Sequence, residues 1–188
     1  MFESKRLVYK ALEDADFDLF YELNSNEEVM KYAYLDRICS REEAFEAYKN
    51  ILVSQQDFEK GTRYVARIKT SNMPIGIVDY DVVLHHANGG IFEIGYFLLP
   101  RFWGQGFAAE MGTAIIDYLF HNFPIHKVTA SANAKNKKSE SVMVKLGMTK
   151  EGELKKARYK DGQWDDEVKY GLLKEEWLSK NADAKFKL

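Results

Sequence analysis

Between residues 62 and 122 the apolar pattern changes its period, and the change falls on two glycines one residue apart, in the stretch PRFWGQGFAAEM at 100–111. Before it, TRYVARIK (62–69), PIGIVDYDVVL (74–84) and GIFEIGYFLL (90–99) are β-branched and aromatic. The segments between them, TSNM and HHANG, have turn chemistry, which predicts a three-strand antiparallel meander. After Gly106 the apolar residues Phe107, Met111, Ala114, Ile115, Tyr118 and Leu119 recur at intervals of three and four, the signature of a helix with one buried face. A strand that passes straight into an amphipathic helix needs a sheet with a helix packed on it.

The rest of the chain fits that frame. KRLVYKAL (5–12) reads as a first strand, followed by Asp14 and Asp16 as capping candidates for a helix carrying Phe17, Phe20, Tyr21 and Leu23. CSREEAFEAYKNILVSQQ (39–56) opens a second helix with Ser40 and Glu43 spaced as a capping box. Beyond the long helix, HKVTASAN (126–133) predicts a strand and 139–146 a helix stopped by Gly147; two more strands are expected around MTKEGELKKARY and WDDEVKYGLL. Alternating strands and helices place neighbouring strands in parallel, so the expected fold is α/β (α+β), with a mixed sheet of six or seven strands flanked by helices. No repeat or Pro/Gly/Ser-rich linker divides the 188 residues, and one domain over 1–188 is expected.

Composition narrows the function classes. The 29 acidic and 27 basic residues leave a net charge of -2, which provides no footprint for nucleic acid. Cys39 is the single cysteine, so an internal disulfide and a cysteine zinc site are excluded, and the histidines at 85, 86, 121 and 126 are too scattered to predict a metal. The N-terminus lacks the apolar run of a signal peptide and no window has the ~18 apolar residues of a membrane span. A cytoplasmic protein without membrane contact is expected.

RFWGQGFA (101–108) sits where a strand ends and a helix begins. A helix N-terminus presents unpaired N–H groups and the positive end of the dipole, and glycines allow close approach, so the loop suits a phosphate or pyrophosphate, with Arg101 adding a charge. The bland alternative is a tight turn and nothing more. A Walker loop is excluded by the missing Gly-Lys-Ser/Thr. GQGFAA satisfies the dinucleotide pattern, but the next strand ends in ASANAKN, without the acidic residue that would hold a ribose.

RFWGQGFA resembles the Arg/Gln-x-x-Gly-x-Gly/Ala signature of the GCN5-related N-acetyltransferases. The resemblance extends through SKRLVYKALEDADFDLFYELNS, EIGYFLLPRFWGQGFAAEM, NKKSESVMVKLGM, EGEL and GLLKEEW, an order similar to the RimJ/RimL branch, whose founding members acetylate N-termini of ribosomal proteins. It implies acetyl-coenzyme A as co-substrate and no metal. It places Arg101, Gly104, Gln105, Gly106, Phe107 and Ala108 around the diphosphate, and main chain of Phe97, Leu98 and Leu99 along the pantetheine arm. Asn136 would contact the pantetheine and Ser139 would lie near the thioester, while Lys137, Lys138 and Lys145 could approach the ribose phosphate, though a solvated basic face explains them as well. Read from local pattern alone, Ser139 is a helix N-cap, and both roles can hold.

Acetyl transfer to an amine requires the amine neutral, a stabilised oxyanion and a proton for the departing thiolate; no covalent enzyme intermediate is needed. Glu93 is the candidate base: it alternates with apolar residues, so it lies on a solvent face or in a cleft, and a glutamate in this strand of the family often orders a water. Tyr96 falls on the opposite face from Glu93 and reads as packing; Tyr159 is a candidate acid if it faces the cleft. In ribosomal-protein enzymes of the branch a glutamate proposed as base stands where KKARYKDGQW has Arg158, which cannot act as a base and could instead hold a substrate anion. WDDEV (164–168) and Asp79 with Asp81 form either an acidic mouth for a cationic amine or simply a solvated charged face, and KYAYLDR (31–37) and the early helices are expected to shape the pocket. Peptide N-terminus, polyamine, amino sugar and aminoglycoside all remain open as acceptors, and so does a monomer or homodimer. A non-catalytic acyl-coenzyme A-binding relative is the alternative function.

Overall fold

The computed structural model describes residues 1–55, 57 and 61–185, with side chains through Lys180. In chain order the elements are β1 (Phe2–Glu3), β2 (Leu7–Ala11), α1 (Phe17–Ser25), α2 (Glu27–Met30), α3 (Arg41–Ser54), β3 (Thr62–Ile68), β4 (Pro74–Leu84) and β5 (Gly90–Leu98). They continue with α4 (Phe107–Asn122), β6 (Ile125–Asn133), α5 (Lys137–Lys145), β7 (Thr149–Lys160), β8 (Gln163–Leu173) and α6 (Lys174–Lys185). The strands form one sheet in the order β1-β2-β3-β4-β5-β6-β8-β7. Every neighbouring pair is antiparallel except β5–β6.

The sheet is mixed, as expected, but has eight strands rather than six or seven. The unforeseen strand is β1, whose two residues are too few to show a period; it pairs Phe2 with Tyr9. The Phe2 ring stacks on Tyr9 at 4.6 Å and on Tyr118 of α4 at 4.5 Å, which fastens this edge to the helix layer.

Each face of the sheet carries its own core. On one, Phe92, Ile94 and Leu98 of β5 pack with Val128 of β6, with Met111, Ile115 and Leu119 of α4, and with Trp177 of α6. Ile115 and Leu119 are fully buried, each worth about 1.5–3 kcal/mol. On the other, Val65, Ile77 and Leu99 are covered by Leu19, Phe20 and Leu23 of α1 and by Ala44 and Tyr48 of α3. β5 therefore alternates between two buried layers, and its odd-numbered residues face the α1–α3 side.

Three local expectations change. The second helix ends at Ser54, and Gln56 lies outside the described residues. Asp14 lies inside a 3-10 turn and Asp16 flanks α1 without capping it: the Asp16 carboxylate accepts from Glu13 N–H at 3.2 Å and pairs with Arg67. α5 begins at Lys137 and its cap is Asn136, whose side chain accepts from Ser139 N–H at 3.1 Å, so Ser139 is a first-turn residue and not the cap. Its far end follows the pattern: Gly147 N–H reaches Val144 C=O and Met148 N–H reaches Met143 C=O, a Schellman closure.

The feature that makes a site is the parting of β5 from β6. Their parallel register runs from Gly90–Ile125 to Glu93–Thr129 and stops there. β5 stays paired to β4 as far as Leu98, and β6 stays paired to β8 as far as Asn133. The two central strands diverge, leaving a wedge-shaped gap in the sheet beside the start of α4.

Candidate active site

The alternation of an antiparallel ladder decides which main-chain groups line the gap. Leu99 N–H donates to Ile75 C=O at 3.0 Å, so Leu99 and Phe97 turn their main chain to β4. Ile94, Tyr96 and Leu98 turn theirs towards the gap. The Leu98 carbonyl accepts the Trp103 indole N–H at 2.7 Å, leaving its N–H. Of the expected Phe97, Leu98 and Leu99, only Leu98 faces the opening, and sequence reasoning missed Ile94 and Tyr96; the phase of the ladder was the signal for them.

At the wide end of the gap, a 3-10 turn over Pro100–Phe102 and the turn through Gln105 lead into α4. Gly104 has φ 73° and Gly106, the N-cap of α4, has φ 80°, a left-handed geometry that costs other residues about 1–2 kcal/mol. A Cβ on Gly104 would meet nothing within 4 Å, so this turn is open. The first helical bond runs from Glu110 N–H to Gly106 C=O at 3.1 Å, which leaves the N–H groups of Phe107, Ala108 and Ala109 without a helical acceptor. From behind, Arg6 braces the turn: it donates to Gln105 C=O at 3.0 Å, lies 4.0 Å above the Phe107 ring and pairs with Glu110 at 2.6 Å. Glu110 also accepts from Ser4 and from Arg6 N–H, both at 2.7 Å; burial opposes its charge, and these bonds hold its carboxyl below the usual range.

Arg101 is half-exposed and pairs with Glu22 of α1, so its charge is not directed at the glycine turn. The Gln105 side chain donates to Arg101 C=O at 3.0 Å. Lys138 lies 4.5 Å over the Trp103 ring, beside the turn. Lys137 pairs with Glu140 at 2.7 Å. Lys145 is in the last turn of α5, next to Leu146, whose side chain packs against Gly112 of α4.

The gap separates two polar groups. On the α4 side, the Tyr96 hydroxyl reaches over to Ser139, 3.1 Å from its Oγ and 3.2 Å from its carbonyl. Burial pushes the Tyr96 hydroxyl up to about 12, with the Ser139 bond working against it, so Tyr96 holds its proton at neutral pH. Tyr96 is thus more than packing. Tyr159, the expected acid, is 60 % exposed in the β7–β8 hairpin with its ring against Trp164, and the structure does not bring it to Ser139.

On the α1–α3 side, Glu93 accepts from Ser131 Oγ at 2.7 Å. Its cross-strand partner is Asp81, and Asp79 lies opposite Gly95, where a Cβ would strike the Asp79 carboxylate. Burial, opposed by Arg63 and reinforced by Asp81, raises Asp79 to about 6; Asp81 is raised for the same first reason. Arg63 is 3.8 Å from Asp81. These three carboxylates do not converge tightly enough to hold a metal ion.

The acidic run at 165–167 is not a free mouth. Asp165 pairs with Lys135 and accepts from Asn133 at 2.7 Å, and Asp166 accepts from Lys155 at 3.1 Å and Lys156 N–H at 2.8 Å. Glu167, 3 % exposed, accepts from Arg158 at 3.0 and 3.2 Å, Lys169 at 2.7 Å and Tyr34 at 3.3 Å. Burial alone would push Glu167 up, but Arg158 and Lys169 hold it below the usual range. The guanidinium of Arg158 lies 3.8 Å over the Tyr34 ring, so its charge is spent inside the protein.

A gap in a sheet with open main-chain groups, leading to a glycine turn at a helix N-terminus, suits an extended ligand that ends in a phosphate, and comparison with known proteins supplies its class. Residues 6–149 match the model of the acetyltransferase (GNAT) domain. The chain is 31 % identical over 175 residues to the uncharacterized N-acetyltransferase YnaD of Bacillus subtilis, covering 93 % of this chain and 97 % of that one. The alanine N-acetyltransferase of ribosomal protein uS5 from Escherichia coli is 31 % identical over 103 residues, 55 % of this chain and 53 % of its own. The fold matches spermidine N-acetyltransferase of Vibrio cholerae, solved with CoA and spermine, at a TM-score of 0.80 and 23 % identity over 92 % of this chain and 98 % of that one.

The chain belongs to the GNAT acetyltransferase family, with RimJ/RimL-like relatives. It is an N-acetyltransferase that takes its acetyl group from acetyl-coenzyme A. The residues present fit that substrate: open N–H groups at the α4 N-terminus suit a diphosphate, and the free main chain of β5 suits the amides of a pantetheine arm. Among the described residues no helix is long and apolar enough to cross a membrane.

Proposed function

We propose that this enzyme acetylates a primary amine of cationic character, a polyamine before a peptide N-terminus, with the amine entering over the Glu93 face. One observation carries the reading: the β5–β6 register ends at Glu93–Thr129, putting Glu93 on one side of the gap and the Tyr96–Ser139 pair on the other. The acceptor preference is supported by Asp79, Asp81 and Glu93 on neighbouring strands with Arg63 as the cation paired among them.

Acetyl-coenzyme A supplies a thioester carbonyl. The turn through Gly104 and Gly106 and the first N–H groups of α4 hold its diphosphate, with Gln105 contributing its main-chain N–H. Asn136 uses Oδ1 on Ser139 N–H and keeps its amide N–H donors for the pantetheine. Glu93 takes a proton from the ammonium, directly or through a water. As the amine nitrogen bonds to the carbonyl carbon, the Tyr96 N–H, the first on the gap side of β5 beyond the Glu93–Thr129 pair, stabilises the oxyanion. The C–S bond then breaks, Ser139, backed by the Tyr96 hydroxyl, gives the sulfur its proton, and the acetylated nitrogen sheds its second proton to water, from which the Ser139–Tyr96 pair is reprotonated. A cytoplasmic site of action is part of this proposal.

The test is turnover of a panel consisting of spermidine, an alanyl peptide, glucosamine and an aminoglycoside, read by release of free thiol. Spermidine is expected to give the highest kcat/KM. A peptide preferred by tenfold or more would overturn the polyamine reading.

A further inference from the structure

We infer that Ser131 and Lys169 are positioning residues that hold and orient the Glu93 carboxylate across the mouth of the gap. The inference rests on Glu93 acting as the base. Ser131 stands on β6 two residues beyond Thr129, where the backbone pairing with β5 has ended. Its hydroxyl replaces that pairing, donating to Glu93 Oε1 at 2.7 Å. A serine has one proton, and Lys169 Nζ decides where it points by donating to Ser131 Oγ at 2.7 Å. With its lone pair occupied by an ammonium, Ser131 directs its hydrogen to Glu93. Lys169 is fixed in turn by the buried Glu167, 2.7 Å away at Oε1, and Glu167 also accepts from Tyr34 at Oε1 and from Arg158 at both oxygens.

Five side chains thus connect β7 to β5: Arg158, Glu167, Lys169, Ser131 and Glu93. Two cations meet two carboxylates, so the chain is electrically balanced. This gives Arg158 a purpose other than binding a substrate anion. It compensates Glu167, which would otherwise draw Lys169 away from Ser131. Glu93 Oε2 makes no hydrogen bond to the described residues and is left for the acceptor.

A double-mutant cycle tests this with acetyl-coenzyme A and the fastest acceptor of the amine panel. Ser131→Ala is expected to lower kcat about tenfold, with KM for the amine and Kd for acetyl-coenzyme A within about twofold, and Ser131→Thr to restore most of the rate. Lys169→Met should match Ser131→Ala. In a Glu93→Gln background Ser131→Ala should cost less than about twofold, because the group it positions is gone. An equal loss in both backgrounds would overturn the inference and leave Glu93 as the base. An undiminished kcat in Glu93→Gln alone would remove the base assignment and the inference with it. Unchanged melting temperatures in Ser131→Ala and Ser131→Thr would separate these outcomes from loss of fold.

Discussion

The Tyr96 hydroxyl lies 3.1 Å from Ser139 Oγ, so a side chain of β5 and the first turn of α5 meet across the opening where β5 and β6 part. The buried phenol keeps its proton at neutral pH, so the Tyr96–Ser139 pair is in its protonated form when the thiolate departs. Ser139→Ala is expected to lower kcat about 100-fold and Tyr96→Phe about tenfold. If the two act as one unit, the double variant loses no more than Ser139→Ala alone; losses that multiply would mean separate roles.

Gly104→Val separates cofactor binding from folding. At φ 73° a β-branched residue is strained, yet nothing lies within 4 Å of the new Cβ, so the fold should lose only about 1–2 kcal/mol. The open space is where the diphosphate belongs, and calorimetry should show acetyl-coenzyme A binding weakened at least about tenfold. Unaltered affinity would reject the turn as the phosphate site.

The Arg67–Asp16 pair joins the sheet to the turn before α1, with Asp16 3 % exposed. Arg67→Met would leave a buried carboxylate unpaired, at a cost of about 3–5 kcal/mol. Urea denaturation should show the midpoint falling accordingly, and a loss below ~1 kcal/mol would mean that water reaches Asp16.

Asp79 makes stability depend on pH in a known direction. Its folded value of about 6 is above the ordinary 3.8, so the native protein binds this proton more tightly than the unfolded chain. Stability is therefore lost as pH rises through that interval, and the loss is complete above about 6. Burial is the main cause; Arg63 and Gly95 N–H oppose it, while Asp81 and Glu93 reinforce it. Asp79→Asn should raise the melting temperature over wild type more at pH 7.5 than at pH 4.5. Equal shifts at both would contradict the assignment.

Local pattern revealed what is local. The three-strand meander, the glycine turn and α4 follow from a change of period between residues 62 and 122, and the alternation of β5 placed Glu93 and Tyr96 on opposite faces. Contacts between distant segments left no such trace. Ser131 and Lys169 meet Glu93 only because β6 is inserted beside β5 and β8 beside β6, and no spacing in the sequence encodes that register. Tyr159 fits its motif, yet the hairpin exposes it. Arg158 shows the same limit: as a substitution in a motif it suggested a substrate anion, whereas its partner Glu167 lies on the adjacent strand.

The most direct measurement is steady-state turnover of Glu93→Gln beside calorimetric binding of acetyl-coenzyme A to the same variant. A drop in kcat of about 100-fold with binding unchanged is the predicted result, since the amide preserves shape and hydrogen bonding but cannot take the proton. Wild-type turnover would show that the amine loses its proton elsewhere and that the strand gap is not organised around Glu93.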